Sequence, residues 1–411
     1  MAEQVFKDIK IADFSWVGVG PQVGREFAAH GATVVRVESH NRPDQLRLIG
    51  PFKDMEPGID RSAFGTCFNT GKYGISVDLK TEKGQEVGRK LVKWADIVCD
   101  SMTPGSMERL GLDYENLKQI KPEIIMFSTC QYGHYGPYSN LPGYGQMGAA
   151  MAGASNLVGW PDREPAGAFG AYTDFIAPWF LIPTVIGALL YRNKTGQGVF
   201  IDMAQVEAAS TFISPLILDY TVNGRVAQPM GNSSPTSAPH GVFPCLGEDK
   251  WVAISVSTDS EWEAFCQVIG HPDWTGADKF QTLEGRRSNE PELNELVGEW
   301  TKQHTPARVM SMLQERGVPA GVVENCHEDL FDDPQLKHRR HFRFLEHQVM
   351  GTHAYNAPAY ILSKTPNNIH KAGPTLGEDN EYVFKEILKY TDDEIADFLI
   401  EGVITTDADL G

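Results

Sequence analysis

The sequence predicts an α/β protein built on a mostly parallel sheet covered by helices. Two observations carry this: a strand–turn–helix–strand unit near the N-terminus, and its recurrence, with capping residues at the joints, as far as residue 202. In the first unit, residues 9–14 form a strand, 18–20 a glycine turn, 21–30 a helix and 32–38 the returning strand. Residues 73–79 read as the next strand, Thr81 as the cap of a helix reaching Trp94, and 96–99 as a short apolar strand. Asp113 caps a helix that ends before Pro122, and residues 124–128 supply another buried strand. The uncharged stretch 175–191 is near the ~17-residue lower limit for a bilayer span. It carries Pro178 and Pro183 between polar flanks, so a buried core helix is expected. A polar turn at 194–198 leads to a strand at 200–202 and a helix towards Tyr220.

Residues 223–244 are rich in Gly, Pro, Ser and Asn and read as a linker into a smaller α+β lobe. The expected division is 1–222 for the large lobe, 223–328 for linker and small lobe, and 329–411 for a segment returning to the large lobe. In the small lobe, residues 251–256 are strand-like and Ser260 is placed to cap a helix. Thr305 with Pro306 opens another helix, Gly317 closes it, and 318–323 return as a strand. Two late helices are expected at 378–390 and 392–401.

The 411 residues suffice for two or three lobes at ~150 residues each. With 41% hydrophobic and 22% charged residues the chain is neither disordered nor fibrous. A formal net charge of −18 repels phosphate backbones and anionic bilayers, so neither nucleic acid nor membrane is an expected partner. A phosphorylated ligand would need a local basic pocket. The six cysteines form no C-x-x-C pair and the N-terminus has no apolar signal region, which together favour a cytoplasmic protein with reduced thiols.

Gly18-x-Gly20-x-x-x-Gly24, followed by Glu38, approaches a dinucleotide fingerprint, but its third glycine falls one residue late and Pro21 stands where the helix opens. What survives is a glycine turn that lets a ligand approach the backbone at a helix N-terminus. His338-x-x-His341 lies among Arg339, Arg340 and Arg343, so a solvated basic helix is expected there and no metal site. There is no G-x-S-x-G, P-loop or H-E-x-x-H. Asp174 sits between a small-residue segment and the long apolar helix. That place suits an N-cap, and amide donors with the helix dipole would keep its carboxylate ionised while apolar neighbours leave it nucleophilic.

Taken in order, a set of individually weak landmarks resembles the class III coenzyme A transferases, the family of formyl-CoA, carnitine and benzylsuccinate CoA-transferases. They are Ile11-Ala-Asp-Phe14 through Gly20-Pro21, Gly31-Ala32 through Glu38, Asp78-Leu-Lys80-Thr81 with Gly84, and Pro104-Gly105 through Leu112. Tyr132-Gly133 through Tyr138, Thr195-Gly196-Gln197-Gly198 leading to Asp202, Gly317-Val-Pro-Ala-Gly321, Asp333-Pro-Gln335 and Pro374-x-Leu-Gly377 continue the series.

The resemblance implies a Rossmann-type large CoA-binding lobe, a smaller lobe, and an interlocked homodimer or a heteromer with a paralogous subunit. It implies acyl-CoA and a small organic acid as substrates, no permanently bound cofactor and no metal. Asp174 would attack the donor thioester to give a mixed anhydride, and the released thiolate would then form an enzyme thioester. The positions matching the family's CoA site are Val17, Gly18, Val19, Val77, Lys80, Ser101, Met102, Arg109 and Leu110. Lys80 and Arg109 are sensible phosphate partners.

Some relatives have glutamine at the place of Gly18 and arginine at that of Ser39. This argues against an oxalate-like acceptor and leaves His40 or Arg42 to grip the adenosine phosphate. Within the same fold, an α-methylacyl-CoA racemase is the alternative. It needs two acid/base groups, and its Gly-His-Asp motif reads Gly143-Tyr144-Gly145 here, where a phenol of pKa about 10 is a poor base. Tyr144 is instead expected in the acyl pocket. A catalytically idle subunit of a heteromer is the other alternative; retention of Asp174 argues against it, and Gly145 in place of an acidic residue argues for it. Tyr144, Trp160, Phe169, Tyr172, Phe175 and Trp179 could surround Asp174, which suggests succinyl-CoA as donor and a benzylsuccinate-like acceptor.

Overall fold

The computed structural model describes residues 3–405, Glu328 by its main chain only. They fall into two units: one holds the chain up to Ala154, Ala168–Gly224 and the chain from Lys337, the other Ser155–Gly167 and Arg225–Leu336. The divisions drawn in sequence at 222 and 328 therefore differ from the contacts by a few residues. They also omit the early excursion Ser155–Gly167, which has the composition of an ordinary loop.

The first unit is built on a six-stranded sheet in the order β3-β2-β1-β4-β5-β6, with every pair parallel. The strands are β1 Lys10–Asp13, β2 Thr33–Glu38, β3 Tyr73–Ser76, β4 Ile97–Asp100, β5 Ile125–Cys130 and β6 Val199–Ala204. From β1 the chain winds outward to β3, then returns to the other side of β1 and winds outward to β6. At this reversal the loops leaving β1 and β4 diverge over opposite faces and open a crevice at the strand ends.

The helices α1 Val19–Ala29, α2 Glu82–Trp94, α3 Tyr114–Ile120, α4 Gly145–Met151, α5 Tyr172–Thr195, α6 Gln205–Phe212 and α7 Ser214–Asn223 follow in order. Successive strand residues serve opposite faces. Ile11, Val34, Ile97 and Ile125 pack with Val23 and Phe27 of α1 and Leu181 and Val185 of α5. Ala12, Val35, Val98 and Met126 pack with Val87 and Leu91 of α2, Leu117 of α3, and Phe384 and Phe398. Burial on both faces is why these strands read as continuous apolar runs.

Thr81 caps α2 by accepting from the Gly84 amide at 3.0 Å, and Asp113 caps α3. α1 opens at Val19, two residues before the expected start, because Pro21 fits the first turn, where no intrahelical N–H is needed. Among the described residues α5 is the one helix long and apolar enough to cross a bilayer, and half of that apolar window is buried in protein.

In the second unit β7 His240–Pro244, β8 Trp251–Ser255 and β9 Ala320–Val323 form an antiparallel sheet over a core that includes Phe243, Val252, Phe265, Leu293 and Leu313. Its helix Asp259–Val268 is capped by Thr258, not Ser260. The Glu261 side chain reaches back to the Thr258 amide at 3.2 Å, closing a capping box that only this register permits.

Back in the first unit, the expected basic helix over 337–343 is broken. Pro334–Arg339 is helical, Arg340 turns at φ 51°, and Phe342 opens β10 Phe342–His347, paired antiparallel with β11 Gly351–Asn356. His338 thus lies in the helix and His341 in the connection before β10. The expected helix over 378–390 is a short turn, Asn380–Tyr382, followed by a π-helical turn, Val383–Ile387, that buries the adjacent Val383 and Phe384 together.

A buried ion network underlies the crevice. Arg36 of β2 is fully buried and pairs with Asp44, with Glu38 at 3.2 Å and with Asp13 at 3.7 Å. It also donates to the Ser15 carbonyl at 2.9 Å. Arg47 adds a 2.7 Å pair to Glu38, and Lys72 a 2.7 Å pair to Asp13. Burial opposes ionisation of Glu38, but Arg47 and Arg36 outweigh it and hold the carboxyl below its ordinary value. Removing one partner from such a set strands buried charge. Arg36→Met is expected to cost about 3–5 kcal/mol, read as a lowered urea midpoint.

Candidate active site

Two cavities occupy the crevice, and Trp16 lines both. The inner one, about 110 Å³, is lined by Val17, Gly18, Val19, Ser101, Tyr144 and Asp174 among others. The outer one, about 410 Å³, is lined by residues including Val77, Lys80, Met102, Arg109 and Leu110. The residues singled out from the sequence are therefore brought together, divided between two adjoining chambers.

The turn after β1 shapes the boundary. Ser101, leaving β4, clamps Trp16: its hydroxyl accepts from the Trp16 amide and donates to the Trp16 carbonyl, both at 2.7 Å. Ser101 lines the inner cavity, yet its hydroxyl is committed to the protein. Val17 follows at φ 61°, a left-handed conformation that costs a β-branched residue on the order of 1–3 kcal/mol. Its amide is held by the Asp44 carboxylate at 3.1 Å. At Gly18 an added Cβ would lie 2.6 Å from the Asp174 Cβ, so the start of α1 can approach Asp174 this closely only as glycine.

Asp174 is the third residue of α5, not its cap; Ala171 holds that position and offers no side-chain hydrogen bond. The Asp174 main-chain amide bonds to the Ala171 carbonyl at 2.9 Å. Among the described residues no group donates to the carboxylate, and burial alone pushes its pKa up to about 6. The expected stabilisation by amide donors is thus absent. The acid sits only 8% exposed, with its open side on the inner cavity.

The outer chamber gathers cations on an acidic protein. Lys80 lines it without an ion pair among the described residues, and Arg109 is steadied only by Ser106 Oγ at 2.9 Å. Arg42 lies 5.1 Å over the Trp16 ring and lines the same chamber. Its neighbour His40 instead faces Ser76 Oγ at 3.5 Å.

Of the six aromatic residues expected around Asp174, only Tyr144 lines the inner cavity, its hydroxyl bonded to Gln45 Oε1 at 2.9 Å. Phe175 points to Phe68, with ring centroids 6.0 Å apart, and Trp160 belongs to the second unit. Gly145 packs so closely on Ala171 that an added Cβ would meet its Cβ at 2.7 Å, which leaves no room for an acidic side chain. Among the described residues no histidine or lysine lines the inner cavity, and burial pushes the Cys130 thiol there up to about 11.

Trp16, Gln131 and Gln205 also line the site and escaped sequence reasoning. Each stands just beyond a strand end, a position visible only once the strands are aligned.

The sequence model of CoA-transferase family III matches residues 6–380. The chain belongs to this family. It is 28% identical over 397 residues to the succinyl-CoA–D-citramalate CoA-transferase of Chloroflexus aurantiacus, covering 97% of each chain. It is 26% identical over 397 residues to the human succinyl-CoA:glutarate CoA-transferase, covering 96% of this chain and 89% of that one. A CAIB/BAIF family protein from Brucella suis superposes with a TM-score of 0.86 at 30% identity, covering 94% of this chain and all of the other.

The protein is thus a class III CoA-transferase, and its buried acid has a cost that can be measured. Because the folded pKa of Asp174 lies above the unfolded value, the ionised carboxylate destabilises the fold at pH above 6, and that cost fades as pH falls towards 4. Asp174→Asn is expected to raise the stability of this CoA-transferase at pH 8 by on the order of 2 kcal/mol. In thermal melts across this range the advantage should vanish near pH 4.

Proposed function

We propose that the protein moves CoA from succinyl-CoA to a small aliphatic organic acid through a covalent intermediate on Asp174. The observation that carries this reading is the buried Asp174 carboxylate, without a hydrogen-bond partner among the described residues, at the inner end of a two-chambered crevice. The names of the relatives from Chloroflexus and human support the donor and the class of acceptor.

The CoA phosphates would lie by Lys80, Arg109 and Arg42 in the outer chamber, with Val77, Met102 and Leu110 as apolar wall. The pantetheine arm would pass Trp16 and bring the thioester to Asp174 beside Val17, Gly18 and Val19. An Asp174 oxygen then attacks the thioester carbon, and the carbonyl π pair moves to oxygen. Collapse breaks the C–S bond, expels CoA thiolate and leaves a mixed anhydride. Thiolate attack on the Asp174 carbonyl releases succinate and forms an enzyme thioester, which the acceptor carboxylate opens by the reverse route.

The inner chamber, at 110 Å³, is smaller than the roughly 150 Å³ that accommodates a benzene ring. This favours a short aliphatic acid. A benzylsuccinate-like acceptor is the second reading, and the aromatic Tyr144 in the chamber wall speaks for it. Racemisation has less support, because its two bases have no histidine or lysine to supply them in this chamber.

A second copy or a paralogous subunit would cover α7. It buries none of its residues, and Leu216, Ile217, Leu218 and Tyr220 are exposed. Six free thiols fit a cytoplasmic setting.

Intact mass spectrometry after incubation with succinyl-CoA and hydroxylamine should show a modification at Asp174 that Asp174→Ala abolishes. No modification with any of several acyl-CoA donors would refute the covalent reading. The acceptor is read by turnover with succinate, glutarate, malate and benzylsuccinate. kcat/KM for the acyl-CoA should rise about tenfold per pH unit below 6 and level off above it, as Asp174 of the free enzyme ionises. Lys80→Ala and Arg109→Ala should each raise KM for the acyl-CoA about 3- to 10-fold and leave kcat nearly unchanged.

A further inference from the structure

The wall of the inner chamber contains a fixed pair of amides that the steps above do not use. β5 and β6 run parallel with Cys130 opposite Ala204, so the next residues, Gln131 and Gln205, leave the sheet side by side. The Gln131 carbonyl accepts from the Val206 amide at 3.0 Å, tying the two exits together. Gln131 Nε2 donates to Gln205 Oε1 at 3.0 Å. The Thr173 hydroxyl, one residue before Asp174, reaches the same oxygen at 3.1 Å and the Gly145 carbonyl at 3.3 Å. All three side chains are more than nine-tenths buried.

The room for this pair is built in. A Cβ at Gly148 would lie 2.2 Å from Gln131 Oε1, and one at Gly143 would lie 2.8 Å from Gln131 Cγ. The pair is also incompletely satisfied, because Gln131 Oε1 is buried without a partner. Gln205 Oε1 is occupied on both sides, while no described residue accepts from Gln205 Nε2, and that side chain lines the chamber with Asp174. A pair present only for packing would be replaced at little cost by two apolar side chains of the same shape. Among the described residues no lysine, arginine or histidine lines this chamber, which leaves neutral donors to meet charge developing beside Asp174.

We propose that Gln205, held in place by Gln131 and Thr173, donates its side-chain N–H to the carbonyl oxygen of the acyl group under attack by Asp174. The inference rests on the transferase reading of Asp174. When the Asp174 O–C bond forms, the carbonyl pair moves to oxygen and the amide meets an oxyanion. When the C–S bond breaks, the pair returns to re-form the carbonyl, and Gln205 keeps its proton throughout. A preorganised neutral donor of this kind strengthens its bond in the transition state and so acts on kcat. Gln205 is then a catalytic residue, and Gln131 and Thr173 are positioning residues.

The test is steady-state and single-turnover kinetics with succinyl-CoA for wild type, Gln205→Leu, Gln205→Glu, Gln131→Leu and the Gln131→Leu/Gln205→Leu double variant, each checked by thermal unfolding. Gln205→Leu should lose about 100-fold in kcat with KM for the acyl-CoA within about threefold of wild type. Gln205→Glu, alike in shape but without the N–H, should be equally slow at pH 8. Gln131→Leu should lose less, and the double variant should be no slower than Gln205→Leu alone, because Gln131 acts through Gln205.

If folded Gln205→Leu keeps kcat within about threefold, or Gln205→Glu matches wild type, the proposal is overturned and the main-chain amides at the start of α1 become the donors. If Gln205→Leu fails to fold, the near-isosteric Gln205→Glu decides. Wild type that carries no hydroxylamine-trapped group on Asp174 would instead bring down the covalent reading itself, a result separable from a slow Gln205 variant of an active enzyme.

Discussion

The Arg36 guanidinium is the fixed point on which the crevice depends. It is wholly buried within β2, where it ties Asp13 of β1, the Ser15 carbonyl, Glu38 and Asp44 into one network. Desolvating so many charges is expensive, and such a network is weak evidence for stability in its own right. Its effect is geometric. Asp44 holds the Val17 amide, Asp13 holds Ser15, and the turn between them is kept in a conformation that Val17 would not adopt alone. Asp13 and Glu38 are held below their ordinary pKa values, so their contribution to stability is present at neutral pH and is lost as pH falls through those depressed values.

That rigid turn adjoins a carboxylate in the opposite situation. Against Gly18 of that turn, Asp174 is buried with no opposing charge and no hydrogen bond to its carboxylate from a described residue. One carboxylate set is over-determined by partners and the other is deprived of them, and both are consequences of where β1 and β4 part. Gly18 mediates between the two, because the absent Cβ lets the start of α1 lie against the acid. On the proposed reading, the cost of keeping this carboxylate unsolvated is what makes it reactive towards an activated carbonyl.

Much of this was legible in the residues. The strand runs, the Thr81 and Asp113 caps and the apolar helix around Asp174 follow from local patterning, and the ordered landmarks named the family. Other elements were not legible for identifiable reasons. Thr258 displaced Ser260 as a cap because Glu261 can close a box only on the former. The basic helix ends at Arg339, and the chain turns at Arg340 into the hairpin that starts at Phe342, because the basic run carries no periodic signal of either kind. Of the six aromatics expected around Asp174 only Tyr144 lines its cavity; Tyr172, Phe175 and Trp179 share α5 with the acid, and an α-helix sends residues a few positions apart to different faces.

The sequence by itself determined most of the strands and helices of the first unit, the doubly covered parallel sheet and the family, because these depend on local periodicity and on short motifs. Tertiary structure alone decided the environment of that acid. The separation of the crevice into two chambers at Trp16, the buried Arg36 network, and the meeting of Gln131 with Gln205 all arise from strand order and register. Those bring together residues far apart in the chain, and a pairing between distant strands leaves no trace in either segment read alone.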